Sequence, residues 1–137
     1  MARNVVFGMI FVSLAVTFFG CATVIPATFK MVEASPSVSY EDAWLAVVDA
    51  IGERLEIEMV DKDSGYLRTG WKTHSGFFSK TRTRCIARVT SRSPFKVKIK
   101  VELQQFDGLS EEWVAKGNDE KLEQEILTDV RGRLQRR

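Results

Sequence analysis

One histidine and one close pair of aspartates are the residues of this chain whose types first raise the question of catalysis. His74 is the only histidine, and its Gly- and Ser-containing surroundings lack the nucleophile-elbow pattern of serine hydrolases. Asp61 and Asp63 stand two residues apart before Gly65, but the later Glu of an EF-hand loop is missing, which leaves a turn as the simpler interpretation. The chain also has no Gly-rich phosphate loop and no His/Cys cluster. We therefore expect a protein that is not an enzyme and has no metal site and no cofactor.

Basic residues are distributed very unevenly along the chain. Residues 64–101 contain ten Lys or Arg and no Asp or Glu, whereas 41–63 and 102–125 each contain eight acids and two bases. The molecule should therefore be electrically polarised although its net charge is only +2. Two interpretations stay open: a solvated sheet face that uses charge to resist aggregation, or a face that binds an anionic partner.

If the basic segment binds a partner, strand parity indicates which side chains take part. The predicted anionic-partner face consists of Arg68, Lys72, Arg82, Arg84, Arg88, Lys96, Lys98 and Lys100. We expect no aromatic residues among these bases except Tyr66 at the rim, so stacking platforms for single-stranded nucleic acid are not expected. The candidate partners are an acidic protein surface, anionic lipid headgroups and lipopolysaccharide.

Two helices and four strands are predicted to position this face. Apolar residues at helical spacing, beginning at Trp44 after the N-cap Ser39, predict a helix over about 40–53, and the four-residue spacing that begins at Leu122 predicts a second over 119–135, capped by Asn118. Alternating residues predict strands near 55–59, 67–72, 80–91 and 97–103. Residues 28–33 are a candidate edge strand, 74–79 are expected to be a loop, and Trp113 is expected to return to the core.

The order α-β-β-β-β-α, with one apolar and one charged sheet face, predicts an α+β fold. Its simplest form is a four-stranded antiparallel meander sheet with both helices packed on one face. The predicted core consists of Trp44, Val48, Ile51, Ile57, Leu67, Trp71, Val89, Val97, Ile99, Val101, Ile126 and Val130.

The first twenty residues have the pattern of an export signal. Arg3 is the only charged residue before Lys30, and the stretch 5–19 is almost continuously apolar. The stretch ends in Gly20-Cys21, which resembles the bacterial lipobox, in which the Cys is acylated and becomes the mature N-terminus. The alternatives are an uncleaved membrane helix and plain secretion.

The export signal predicts the segments of the chain and the cellular location of the protein. We expect a lipoprotein signal peptide over 1–20, a tether over 21–38 and a single α+β domain over 39–137, with acyl (palmitate-type) chains on Cys21 as the membrane anchor. In lipoproteins of the enteric type an Asp after the Cys retains the protein in the inner membrane. Ala22 stands at that position, so the resemblance implies a periplasm-facing outer-membrane location, away from nucleic acid.

The expected state of the second cysteine, Cys85, depends on what happens to Cys21. If Cys21 is acylated, Cys85 has no partner within the chain for a disulfide, although an oxidising compartment would permit one. Cys85 lies among inward-facing residues of a predicted strand. We expect it to be a small buried residue rather than a reactive thiol.

Short motifs across residues 40–135 resemble a known family. The stretches 41–44 and 61–67, followed by a terminal helix, are similar to the repeated domains of the BamC (NlpB) outer-membrane assembly lipoproteins of Gram-negative bacteria. The resemblance implies a non-catalytic cell-envelope lipoprotein, an accessory or scaffold that binds a protein partner at the outer membrane. The alternative is a binder or carrier of an anionic envelope ligand, either a lipid headgroup or lipopolysaccharide, on the basic sheet face.

Overall fold

Residues 23–137 form one antiparallel sheet and two helices in the structure, a computed structural model that describes this part of the chain. The predicted signal peptide over 1–20 and the lipidation site Cys21 lie outside the described residues. The helices are α1 (Tyr40–Gly52) and α2 (Glu120–Gln135), and the strands are β1 (Lys30–Glu33), β2 (Ile57–Asp61), β3 (Tyr66–Thr69), β4 (Lys72–Ser75), β5 (Lys80–Arg92), β6 (Phe95–Asp107) and β7 (Glu112–Asn118).

The sheet has seven strands in the described chain, so the prediction of a four-stranded meander is wrong, although the α+β class agrees with the structure. The long strands β5 and β6 form a central hairpin of 13 residues a side. β3 and β4 pair with successive halves of β5, β1 and β7 pair with successive halves of β6, and β2 pairs with β3. Four of the five short strands, β1, β3, β4 and β7, take backbone hydrogen bonds from a long neighbour, and β4 forms with no apolar alternation of its own.

The core lies between the helices and one face of the central hairpin. Alternate residues of β6, from Phe95 to Val101, are fully buried on this side, and the apolar stripes of α1 and α2 cover them. As predicted, the Ser39 side chain caps α1 by accepting the Asp42 N–H. The residue that caps α2 is Asp119 rather than the predicted Asn118.

Most of the predicted core is confirmed. Val48, Ile57 and Val89 are only partly buried and pack against the edge of the core, and Trp71 is not part of it. The confirmed core residues are Trp44, Ile51, Leu67, Val97, Ile99, Val101, Ile126 and Val130, and Cys85 is fully buried as expected.

A buried carboxylate fills the break between β1 and β7 along β6. Glu123 of α2 accepts hydrogen bonds from the Val101 backbone N–H (3.0 Å) and from the Asn118 side-chain amide (2.5 Å). Its other oxygen lies 2.6 Å from the ammonium of Lys30. The ion pair raises the pKa of Lys30, first through this hydrogen bond and then through the negative charge of Glu123. The buried Val101 N–H at the break therefore has a partner, as buried groups require.

Residues 25–33, which fall inside the predicted tether, run along the sheet. Ile25 pairs in parallel with Lys116 of β7, and two backbone hydrogen bonds hold it: Ile25 N–H to Ala115 O (2.9 Å) and Gly117 N–H to Ile25 O (2.7 Å). The chain is thus attached to the folded domain almost from Thr23 onward. Among the residues that the structure describes, neither helix is long and apolar enough to cross a bilayer.

Candidate functional site

The sheet face that carries no helix gathers the basic residues, and we call it the open face. Cross-strand partners share a face of an antiparallel sheet, and on the open face β5 and β6 pair Arg82 with Gln104, Arg84 with Glu102, Ile86 with Lys100 and Arg88 with Lys98. The structure brings together seven of the eight predicted face residues: Arg68, Arg82, Arg84, Arg88, Lys96, Lys98 and Lys100.

A one-residue bulge between β3 and β4 moves Lys72 off the open face and puts Trp71 on it. Arg68 pairs with Ile86 and Lys72 with Thr83, so residues 69–71 lie against only two residues of β5. An extra residue inverts the alternation of all that follow it. Lys72 therefore shares the side of buried Thr83, and its ammonium lies 3.5 Å from the Arg54 carbonyl oxygen.

Two tryptophans contact Arg82 on the open face. The guanidinium carbon of Arg82 lies 4.3 Å from the ring centroid of Trp71 and 4.3 Å from that of Trp113. The two rings come from opposite sides of β5 in the sheet order. Arg84 also lies 4.3 Å from the Trp71 ring, and the Arg82 Nε–H donates to Gln104 (2.8 Å). These contacts fix the direction of two guanidinium groups before any ligand arrives.

Further aromatic rings lie beside the other bases, so the expectation of no aromatic residues apart from Tyr66 is wrong. Trp113, which was expected in the core, pairs with Phe106 across the β6–β7 hairpin, and their rings meet edge to face at 5.4 Å. The remaining cation–ring contacts on this face are Lys80 with both of those rings at 5.7 Å, Arg88 with Tyr66 at 5.2 Å, and Lys98 and Lys100 with Phe29 at 4.8 Å. The turn at Asp107-Gly108 was the sequence signal that could have placed Trp113 opposite Phe106.

Carboxylates neutralise part of the open face. Glu102 lies 2.7 Å from Arg84 and 2.8 Å from Lys100. Burial alone would raise the pKa of Glu102, but the hydrogen bonds and charges of its two basic partners outweigh burial and lower it. Two looser pairs lie at the margins, Arg68 with Glu58 (3.1 Å) and Lys96 with Glu33 (3.7 Å).

Arg88 and Lys98 lie directly opposite each other in the sheet. Like charges in directly opposed positions destabilise a sheet. In the described chain no carboxylate oxygen lies within 4.0 Å of either group, nor of Lys80 or Arg82. The pKa of Arg82 is lowered, first by burial and then by the charge of Arg84. The face therefore carries excess positive charge, and we expect the opposed pair to cost the folded state some stability.

The residues considered for catalysis lie apart from one another and from the open face's centre. His74 is exposed on β4, and the Asp61 side chain accepts hydrogen bonds from residues 63 and 64 within its own turn. Burial raises the pKa of the Cys85 thiol to about 12, which keeps it protonated. Within residues 23–137 no three His, Cys, Asp or Glu side chains come together as a metal site.

No protein-family model matches the chain, and no curated protein matches it either. The resemblance to BamC lipoproteins therefore stays a prediction.

Proposed function

We propose that this protein is a non-catalytic, lipid-anchored accessory protein of the bacterial outer membrane, and that its open face binds an acidic surface of a protein partner. The observation that carries the proposal is the opposed pair of Arg88 and Lys98, which has no carboxylate partner in the described chain. A face that needed charge only for solubility could alternate the two signs across the strands and gain stability from each pair. An anionic partner explains why two cations stand opposed.

The tryptophan contacts favour a protein partner. Arg, Trp and Tyr are the residue types that most often dominate the binding energy of protein interfaces, and Arg82, Trp71 and Trp113 form one contiguous group. A guanidinium that is already held in place loses less side-chain entropy on binding. It can also receive a carboxylate with two parallel hydrogen bonds, which a diffuse charged layer does not require.

The anchor has its own test in the intact protein. Mass spectrometry of the chain extracted from membranes should show the loss of residues 1–20 and added acyl mass on Cys21. A chain that retains Met1 with an unmodified Cys21 would contradict lipidation and leave the uncleaved helix as the anchor.

Affinity capture from detergent-solubilised membranes tests the partner. The full-length wild-type chain should capture a protein in defined stoichiometry, and added salt should weaken the capture because it screens charge. The paired variant Arg88→Gln with Lys98→Gln should lose that protein. The control Arg131→Gln with Arg136→Gln removes the same charge from exposed positions of the helix side and should retain it.

Two outcomes would contradict the proposal. If both variants capture the same protein as the wild type, the open face does not bind it. If the wild type co-purifies anionic lipid or lipopolysaccharide in place of a protein, and the Arg88 and Lys98 variant loses that lipid, the face belongs to the alternative function, an anionic envelope ligand.

A further inference from the structure

The two hairpin turns at one end of the sheet carry large apolar side chains in full contact with solvent. Phe77 and Phe78, in the turn between β4 and β5, are 95% and 96% exposed, and Leu109, between β6 and β7, is 99% exposed. Thr81 pairs with Gln105, so both turns project from the same end of the central hairpin. They are separated by about two strand spacings, roughly 10 Å.

The chain's route to its anchor leads to the same end. Ile25 pairs in parallel with Lys116, so the backbone from Ile25 back to Thr23 runs along β7 toward the β6–β7 turn. The Lys116 ammonium lies 3.4 Å from the carbonyl oxygen of Thr23. Two residues of chain reach at most about 7 Å, so Cys21 cannot be farther than that from Thr23. A bilayer that holds Cys21 must therefore lie next to this end of the sheet.

From this juxtaposition we infer that Phe77 and Phe78 insert into the interfacial layer of the bilayer that anchors the chain. The inference rests on the proposed membrane anchor, but not on the partner of the open face. The two rings already meet edge to face, with their centroids 4.8 Å apart, and no other aromatic ring lies close to them in the described chain. Aromatic side chains are favoured at the level of lipid headgroups, where their apolar rings leave water.

The charges around the two turns indicate which turn inserts and what drives it. Lys80 follows the Phe77–Phe78 turn, whereas Asp107, Glu111 and Glu112 surround the other turn. The acidic turn stays at the headgroup surface, and the phenylalanine turn enters. Because the nearby charges are mixed, insertion depends on apolar burial and does not require anionic lipid.

Inserted phenylalanines would orient the domain as well as hold it. The turns and the chain's N-terminal side then face the bilayer, and the strands of the central hairpin rise away from it. The open face is thereby left accessible from the side, where a partner in the periplasm can reach it.

Photo-crosslinking of the full-length chain in nanodiscs tests the insertion. The mature protein from membranes carries p-benzoylphenylalanine in place of Phe78 or, as the control, in place of Leu45, an exposed apolar residue of α1. The probe at position 78 should form adducts with lipid acyl chains in discs of phosphatidylcholine alone and in discs with added phosphatidylglycerol. The probe at position 45 should form none.

The outcomes separate this inference from the function of the open face. If the chain stays with the discs but the probe at position 78 gives no lipid adduct, or crosslinks only to protein, the inference is wrong while the anchor stands. If the chain does not stay with the discs, the anchor and the insertion both fail. With the probe at position 78, the Arg88→Gln with Lys98→Gln variant should give the same lipid adducts as the chain with an unchanged open face, because the open face takes no part in the insertion.

Discussion

The same two strands, β5 and β6, present two faces that treat charge in opposite ways. On the helix side Glu123, the one fully buried carboxylate among residues 23–137, contacts a backbone N–H, an amide and an ammonium. On the open face Arg88 and Lys98 oppose each other with no carboxylate near them in the described chain. The charge of the covered face is paired within the chain, whereas the two opposed cations of the open face are the reason for our proposal that it binds an anionic partner.

The largest expected effect comes from a truncation on the covered face. Ile99→Ala should lower the free energy of unfolding by about 2–5 kcal/mol, since Ile99 is fully buried at the centre of the core. Ile86→Ala on the open face of the adjacent strand should cost about 1 kcal/mol, because Ile86 is only partly buried. Urea denaturation of both variants measures the difference. Equal losses would mean that the two faces do not differ in burial as described.

The next largest effect is expected from Glu123→Gln, which tests whether the covered face depends on the buried charge of Glu123. Glu123→Gln keeps the shape but removes the negative charge that Lys30 approaches, and an amide cannot satisfy all three partners. We expect a loss of about 1–3 kcal/mol in the free energy of unfolding. The raised pKa of Lys30 adds a pH signature: the ion pair's contribution is full below the usual lysine value of 10.5 and is lost as the pH rises above it.

In the variant that alkaline loss should be absent. If wild type and Glu123→Gln lose stability in parallel above that pH, the pair of Lys30 and Glu123 contributes nothing to the fold.

These contrasts also explain which parts of the fold could be predicted from the sequence. The central strands β5 and β6 could be predicted because each has one buried and one solvated face. The alternation along 97–103 also decides which of these residues face the core. β4 was missed because all four of its residues are exposed, so no apolar pattern marks it. β4 is held in place by hydrogen bonds to β5, and the pattern of neighbouring residues gives no information about that pairing.

The predicted placement of two site residues, Trp71 and Lys72, was wrong for one physical reason. Strand parity extended from Leu67 places Trp71 in the core and Lys72 on the open face. The extra residue at the bulge after Thr69 reverses both placements. A bulge depends on pairing with a distant strand, and the only local signal was Gly70, because a glycine inside a strand pattern often marks a bulge. The tryptophan contacts of Arg82 were missed as a result.

A smaller effect on the open face concerns its own carboxylate. The pKa of Glu102 lies below its usual value of 4.5, so its pairs with Arg84 and Lys100 stabilise the fold above that pH and lose their contribution as the pH falls through the lowered pKa. Glu102→Gln should therefore flatten the acid side of the stability profile, measured by urea denaturation at a series of pH values. A profile as steep as that of the wild type would contradict a stabilising role for these pairs.

The substitution Lys98→Glu should change stability and binding in opposite directions. Removing the clash with Arg88 and placing opposite charges across the strands should raise the free energy of unfolding by about 0.2–1 kcal/mol. The same variant should lose the protein that the wild-type chain captures from solubilised membranes, while Arg131→Glu on the helix side retains it. A Lys98→Glu chain that is more stable and still captures the protein would contradict partner binding by the open face, and one that is less stable would contradict the destabilising effect of the opposed cations.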